Sequence, residues 1–554
     1  MHTALSFRPD NAFTAPPRAS SAPCSWLLLL LLILTSFWIG GCTSLPADVD
    51  RPVSYALASP AETTLSRMVA ARAAKAGSRN DSAFALVGNA ELAFTSRMTL
   101  IRSAQKTLDI QYYAIFADDT TERIFNAMRE AAGRGVRIRI LLDDFNTSGK
   151  NAQVLKLAFE KNIELRLFNP LPGGRGPLAV RILSNLHAID RIQRRMHNKM
   201  LVADNAVAIT GGRNLGETYF GQSEGTNFVD IDVLAAGRIV RELAASFDQY
   251  WNNPLAYPVE SLMTLKEIEA LKPKPAAAAQ PGTSQEQPAA TPNGAVTTLS
   301  ALPDSTDLNA LNWTWAPSTM LVDKPSKIAA DADAVEDAQD TAVDGLLQLM
   351  AQAKNDMLIV SPYFVPGQRM MVEFDRLRQR GVRVRLLTNS LASNDAVAAY
   401  VGYARYREAL VAMGVEIYEM RAEQGASLRS MGSALGVSRD GAGGSSRASL
   451  HAKVVVMDER ILVVGSMNLD LRSKLQNSEV ALVIRSRPLS QEAVRMIEPA
   501  LAGGAYRVEL VGGQLVWRAP RGTPLKDATT EPDASAGLML LLKLLGPLAP
   551  DEML

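Results

Sequence analysis

Two stretches of this chain carry the same frame of residues, one in each half. The first is His197-x-Lys199-x4-Asp204-x6-Gly211-Gly212-x-Asn214 and the second is His451-x-Lys453-x4-Asp458-x6-Gly465-Ser466-x-Asn468, and every interval agrees. A second phrase is doubled upstream, RGVRIRILL from Arg134 and RGVRVRLLT from Arg380. A fold for this chain must therefore be built twice. In the first half Leu108–Tyr113 reads as a strand, Thr121–Gly133 as a helix with Ile124, Ala127, Met128 and Ala131 on one face, and Gly135–Leu142 as a second strand. In the other half Met357–Tyr363, Met370–Arg380 and Gly381–Leu387 repeat that order. Strands that are apolar almost throughout are buried on both faces, so the expected class is α/β, with two repeated α/β/α domains.

Composition narrows the chemistry. At 554 residues the chain has room for two or three domains with real cores, and 58 Lys+Arg against 57 Asp+Glu gives no basic excess to attract a nucleic acid. Cys24 and Cys42 are the only cysteines, which excludes a disulfide framework and a cysteine-rich zinc site. The histidines are His2, His187, His197 and His451, and two of these four occupy the doubled frame.

The frame has a physical reading. On an extended strand, positions i and i+2 share a face, so His197 projects with Lys199 and His451 with Lys453. An ammonium beside an imidazole suits a phosphate. Gly212 and Ser466 sit in turns where backbone N–H groups approach an anion, and Asn214 and Asn468 add amide donors. Brought together, the halves make a site for one phosphoryl group with no metal or other cofactor. Asp204 and Asp458 lie seven residues after their histidines, an odd spacing that points them to the other face. A turn or an inter-element salt bridge is the role expected of them.

These motifs resemble the paired HKD motifs of the phospholipase D superfamily, over roughly Ala83 to Leu515. Tyr363-Phe364-Val365-Pro366 and the closing Asp551-Glu552-Met553-Leu554 resemble the bacterial cardiolipin synthase branch, in its lipoprotein-like C type. The resemblance implies a pseudo-twofold site between the two domains and a covalent phosphohistidine intermediate. It implies catalytic roles for His197, Lys199, Asp204, His451, Lys453 and Asp458, with His197 as nucleophile and His451 as general acid. The residues themselves are too symmetric to decide that order. One imidazole is expected to start neutral and the other protonated. Glu479 stands where the family carries an orienting carboxylate, and Asp230 takes the comparable place in the first half, five residues later than strict spacing.

Other features read more plainly. His187 has no repeat partner and reads as a packing or surface residue, while Asp118-Asp119 and Asp143-Asp144 read as solvated loop acids. Arg191, Arg194 and Arg195 are either an exposed face or contacts to a lipid headgroup. Gly425–Ser449 reads as a mobile loop or lid leading into His451, and the apolar run Leu538–Leu548 as core packing.

The N-terminus suggests export. The apolar run Trp26–Ile39 is shorter than the 20 or so residues of a spanning helix and ends in Ile39-Gly40-Gly41-Cys42-Thr43, which resembles a lipoprotein signal with Cys42 as the lipidated residue. An uncleaved membrane anchor is the alternative. Thr43 resembles the residue after the cysteine in lipoproteins sorted to the outer membrane. The expected division is a signal peptide at 1–41, a tether at 42–82, a first domain at 83–258, a Pro/Ala-rich linker and connection at 259–340, a second domain at 341–520 and a tail at 521–554. The expected partners are membrane phospholipids, with phosphatidylglycerol and phosphatidylethanolamine foremost and an accessory protein in addition, and no nucleic acid. Phosphatidyl transfer making cardiolipin, at the periplasmic face of a bacterial envelope, is the leading expectation. Hydrolysis to phosphatidic acid, a nucleic-acid phosphodiesterase and an inactive lipid-binding lipoprotein are the alternatives.

Overall fold

The computed structural model describes residues 44–545, except 59, 79–80, 224, 271–301, 331–333, 336–338 and 423–446. The first half contributes β1 (Ser82–Val87), β2 (Thr107–Tyr112), β3 (Arg137–Asp143), β4 (Ile163–Phe168), β5 (Met200–Ala203), β6 (Val207–Gly211), β7 (Thr226–Val229), β8 (Asp232–Gly237), β9 (Ala256–Pro258) and β10 (Thr314–Ala316). The second contributes β11 (Ser318–Val322), β12 (Asp356–Val360), β13 (Arg383–Asn389), β14 (Glu416–Met420), β15 (Arg447–Leu450), β16 (Val454–Met457), β17 (Ile461–Gly465), β18 (Val480–Arg485), β19 (Ala505–Val511) and β20 (Gln514–Arg518). Eighteen of them form two nine-stranded sheets, ordered β10-β1-β8-β6-β5-β2-β3-β4-β9 and β11-β18-β17-β16-β12-β13-β14-β19-β20, and β15 and β7 pair as a separate two-stranded sheet. The run β8-β6-β5-β2-β3-β4 in one matches β18-β17-β16-β12-β13-β14 in the other, and the three strands nearest the doubled arginine phrase are parallel in both.

Local chemistry accounts for these elements. The helix Asp119–Gly133 begins at a capping box between Asp118 and Thr121 and buries Ile124, Ala127, Met128 and Ala131 against its sheet. The shared Arg-Gly step follows the helix in each half because Gly135 and Gly381 take φ values of 92° and 80°. A side chain there would meet no neighbour, so it is the left-handed turn out of the helix that asks for glycine. Pro362 helps end β12 earlier than the apolar pattern predicted, at Val360.

Three large apolar clusters divide the interior among the described residues. One backs the first sheet and one the second, while a third fills the space between the sheets around the helices Arg238–Trp251 and Arg487–Pro499. The layering is α–β–α–β–α, with the inner helical layer shared. From Leu45 onward the described residues form one unit.

Segments expected to be connections are partly built in. Within the 259–340 stretch, β10 pairs with β1 at the edge of the first sheet and β11 with β18 at the edge of the second, so one extended segment closes both sheets. In the expected tether, buried Arg139 and Arg166 hold the carbonyls of Ser54 at 2.9 Å and Pro52 at 2.6 Å, so residues 51–57 form a docked strap. In the expected tail, Glu531 pairs with buried Arg407, and Leu538, Met539 and Leu542 of the helix Ala536–Leu545 pack on the second core.

Candidate active site

Both motif histidines stand just ahead of a central strand, His197 before β5 and His451 before β16, and their backbones cross to the other half. The His197 N–H donates to the Ser478 carbonyl at 2.9 Å, and the Ser478 N–H donates back to the Arg195 carbonyl at 3.0 Å. In the symmetric place β15 pairs in parallel with β7, and the His451 N–H donates to the Val229 carbonyl at 2.8 Å. In each case the residue after the accepting carbonyl carries a carboxylate to the histidine of the opposite half. His197 Nδ1 lies 3.0 Å from both oxygens of Glu479, and His451 Nδ1 lies 2.7 Å from Asp230 Oδ2. Asp230 and Glu479 are thus equivalent, and the five extra residues before Asp230 fall between Asn214 and β7.

The two pairs differ in their surroundings. Glu479 accepts from the hydroxyls of Ser466 at 2.5 Å and Ser473 at 2.9 Å, and in spite of burial its contacts hold it below the usual carboxylate range, with His197 the largest of these influences. Asp230 is pushed up by burial and, among the described residues, receives only its neighbour's amide, from Ile231 at 2.8 Å, besides the contact with His451. Its cradle is made by an absence: a Cβ on Gly212 would stand 2.5 Å from both Asp230 carboxylate oxygens. Ser466, the repeat equivalent of Gly212, uses its side chain on Glu479 instead. The Ser466 backbone N–H, expected from the sequence to approach an anion, donates instead to the Val480 carbonyl at 2.8 Å.

Lysine and histidine do project together. Lys199 Nζ donates to the His197 carbonyl at 2.7 Å; Lys453 Nζ donates to the His451 carbonyl at 2.5 Å and lies 3.1 Å from His451 Nδ1. Burial lowers all four groups, His197 to about 4 and Lys453 to about 8, with Lys199 and His451 well below their ordinary values. Lys199 and Lys453 also depress both histidines. The expected difference in protonation between the imidazoles is absent here: both are driven toward the neutral form, and the asymmetry lies in their carboxylates.

Asp204 and Asp458 do not reach this site. Each opens a two-residue hairpin turn, Asp204-Asn205 and Asp458-Glu459, in which all four residues have φ near 50°. Asp204 accepts the backbone N–H groups of Gln105, Lys106 and Thr107 at 2.8–3.2 Å, and Asp458 those of Lys354, Asn355 and Asp356 at 2.7–3.2 Å. They clamp the chain entering β2 and β12 by hydrogen bonds, and among the described residues neither makes a salt bridge. Asn214 is also committed internally, accepting from the Ala114 N–H at 3.2 Å and donating to the Tyr219 hydroxyl at 3.0 Å. Asn468 is buried, with its Oδ1 unpartnered among the described residues.

The solvated-acid reading of Asp143-Asp144 is overturned, because both are fully buried and bonded to arginines. Asp144 pairs with Arg175 and Arg181, and Asp143 pairs with Arg195 at 3.3 Å. Arg195 is consequently an interior residue and leaves the set of exposed headgroup contacts. His187 is exposed, as a surface residue would be. Cys42 and most of the expected lid lie outside the described residues.

Sequence reasoning missed the aromatic walls and the anchors behind the histidines. Tyr113 stands edge-on to His197 at 5.1 Å, while Tyr219, Phe228 and Tyr363 surround His451 at 5.2, 5.0 and 6.5 Å. The Tyr363 hydroxyl donates to Asp395 at 2.9 Å. Asp143 accepts the N–H of Met196 at 2.9 Å; Asn389 accepts the N–H of Leu450 at 2.8 Å and donates to its carbonyl at 2.9 Å. Each pins the residue just before a motif histidine. Extending the doubled arginine phrase by one position aligns Asp143 with Asn389, so that signal was present in the sequence.

Comparison with known proteins places this geometry. The family described as "Cardiolipin synthase, PLD-like domain" matches residues 98–251 and 346–499. Cardiolipin synthase C of Escherichia coli (strain K12) is 36% identical over 409 residues, covering 72% of this chain and 80% of its own length. Cardiolipin synthase B of Salmonella typhimurium (strain LT2) is 24% identical over 421 residues, covering 75% and 80%. Among solved structures, a phosphatidylserine synthase of Haemophilus influenzae Rd KW20 shares the fold, with a TM-score of 0.53 at 15% identity over 85% of this chain and 94% of that one.

Proposed function

Because this chain belongs to the family of cardiolipin synthase, PLD-like domains, we propose that it transfers phosphatidyl groups between membrane phospholipids and that its product is cardiolipin. The observation that carries the reading is the crossed pairing of His197 with Glu479 and His451 with Asp230, flanked by Lys199 and Lys453. Two imidazoles with fixed Nδ1 partners and two ammoniums are what a double displacement at phosphorus requires.

In this mechanism ionised Glu479 keeps the proton of His197 on Nδ1 and leaves the Nε2 lone pair for attack. Nε2 bonds to the donor's phosphorus as the bond from phosphorus to the headgroup oxygen breaks. The charge of the bound phosphodiester offsets the two lysines and raises His451 toward its protonated form, so its Nε2 proton passes to the leaving oxygen. An acceptor hydroxyl then gives its proton back to His451, its oxygen bonds to phosphorus, and the phosphorus–nitrogen bond breaks. Each lysine has one proton engaged by a carbonyl and others of its three available to the phosphate oxygens. Phosphatidylglycerol as acceptor makes cardiolipin, whereas water makes phosphatidic acid.

The envelope location belongs to the same proposal. With lipid on Cys42, nine positions separate the acylated residue from Arg51 of the docked strap, a span of at most about 30 Å. Among the described residues no helix is long and apolar enough to cross a membrane. The test is lipid mass spectrometry after incubation with vesicles of phosphatidylglycerol and phosphatidylethanolamine, with a chelator present and His197→Ala and His451→Ala as controls. Cardiolipin only from the intact protein supports transfer. Phosphatidic acid alone assigns hydrolysis, and product formed only when a membrane extract is added points to an accessory protein.

A further inference from the structure

Between β4 and the first motif the chain makes an excursion over residues 172–195, built on the short helices Leu178–Ser184 and Ile189–Gln193 with a single turn, Leu186–Ala188, between them. From Arg175 to Ile189 its polarity is the reverse of what water selects, although Ile192 beyond is buried in the ordinary way. The buried side carries Arg175 and Arg181, both paired with fully buried Asp144, and Asn185, whose amide donates to the carbonyls of Arg181 at 2.9 Å and Pro172 at 3.2 Å. The outer side carries Val180, Leu183, Leu186 and Ile189, which are 61%, 61%, 52% and 42% exposed and recur every third residue. A water-facing helix buries its aliphatic side chains and exposes its arginines. Here guanidiniums are desolvated on a buried carboxylate while four aliphatic side chains stand outside.

Two further observations indicate what covers that side. The excursion runs without a break into Met196 and His197, and Arg472, beside Ser473 of the site, donates to the Gln193 carbonyl at 3.4 Å. The apolar face is therefore fixed to the candidate active site. Its outer charge is basic: Arg175, Arg181 and Arg195 are taken up by buried Asp144 and Asp143, while Arg191 and Arg194 are partly exposed beside the segment's one acid, Asp190.

We infer that this excursion is a membrane-docking platform. Val180, Leu183, Leu186 and Ile189 enter the outer acyl region of an anionic phospholipid bilayer, and Arg191 and Arg194 lie at headgroup level. The platform holds the His197 strand at the surface that contains its substrate. The choice of a bilayer as occupant rests on the phospholipid reading above.

The test places an indole on the platform as Leu183→Trp in the full chain, with the wild-type protein giving the background of the native tryptophans. On phosphatidylglycerol/phosphatidylethanolamine vesicles, bromine atoms on the acyl chains should quench the added fluorescence, and the vesicles should shield it from aqueous iodide. In parallel, V180S/L183S/L186S/I189S should lose at least tenfold more turnover on vesicles than on dispersed short-chain phosphatidylglycerol. An indole that stays open to iodide and unquenched by bromine on protein-loaded vesicles overturns the platform. So does a shift from dimer to monomer in the polar variant, which would give the face to a second copy of the chain. If the intact protein turns over neither lipid, the transfer reading fails, and the bromine measurement still decides the platform.

Discussion

His197 and Glu479 lie in opposite halves of the chain, yet the imidazole Nδ1 sits 3.0 Å from both carboxylate oxygens. Neither half can therefore orient its own motif histidine. Replacing the carboxylate by an amide keeps the shape but loses the charge that fixes the tautomer. Glu479→Gln is expected to lower kcat by about 10²–10⁴-fold, the usual contribution of a positioned acid–base partner. Steady-state kinetics on phosphatidylglycerol vesicles would check it, and a loss under threefold would remove Glu479 from the mechanism.

The pH profile should be set by two groups of opposite need. His197 must be neutral to attack, and with its value lowered to about 4 by burial it stays neutral down to that region. Lys453 must be charged to hold the phosphate, and with its value lowered to about 8 it loses charge as pH rises through 8. For the free enzyme, kcat/KM should fall as pH drops toward about 4, where His197 gains a proton, and it should decline more steeply above about pH 8, where Lys453 loses charge in addition to the proton that His451 must carry. In Lys453→Arg the part of the alkaline decline that Lys453 contributes should vanish, because guanidinium does not titrate there, leaving the part set by Lys199.

Acid stability follows the same histidine with a definite sign. Between the ordinary 6.5 and about 4 the unfolded chain binds a proton at this position and the folded chain does not. Folding stability is therefore complete above 6.5, declines as pH falls toward 4, and levels off below. Denaturant titrations across that window would check it, with His197→Asn expected to flatten the slope.

Asp204 and Asp458 should prove structural although they complete the shared motif. Removing the carboxylate of Asp204 orphans three backbone N–H groups at the entry to β2, and Asp204→Ala is expected to cost about 3 kcal/mol. Asp458→Ala should cost less, since Asp458 is partly solvated. Turnover per folded molecule should stay within about twofold in both. Chemical denaturation with active-site titration separates the two effects.

Much of this was legible from repetition. Two copies of one frame marked the histidines and lysines, and the doubled Arg-Gly phrase located the helix ends. The i, i+2 and i+7 spacings separated His197 and Lys199 from Asp204. What repetition could not convey is where the halves touch. Asp230 looked misplaced by five residues because spacing along the chain says nothing of a loop that bulges between fixed ends. Asp143 and Asp144 looked solvated because their arginine partners lie tens of residues away in sequence and meet them only in the fold. The difference between Gly212 and Ser466 was visible as a letter, but its consequence depends on carboxylates delivered by later strands.

That difference is itself testable. A methyl group on Gly212 would stand 2.5 Å from the Asp230 carboxylate, so Gly212→Ala should displace the partner of His451 and lower kcat at least tenfold. Ser466→Ala removes one hydroxyl from Glu479 without crowding and should act more mildly, with the loss expressed in kcat rather than KM. Equal effects would contradict the distinct roles given to the two carboxylates.

The most direct measurement locates the covalent intermediate. His451→Asn should let phosphatidyl transfer to the enzyme proceed slowly and stall before the acceptor step. After an alkaline quench that preserves phosphoramidates, peptide mass spectrometry should find the phosphatidyl adduct on His197 and none in His197→Asn. An adduct on His451 in the intact protein, or cardiolipin formed with neither histidine modified, would contradict the division of labour between the two halves.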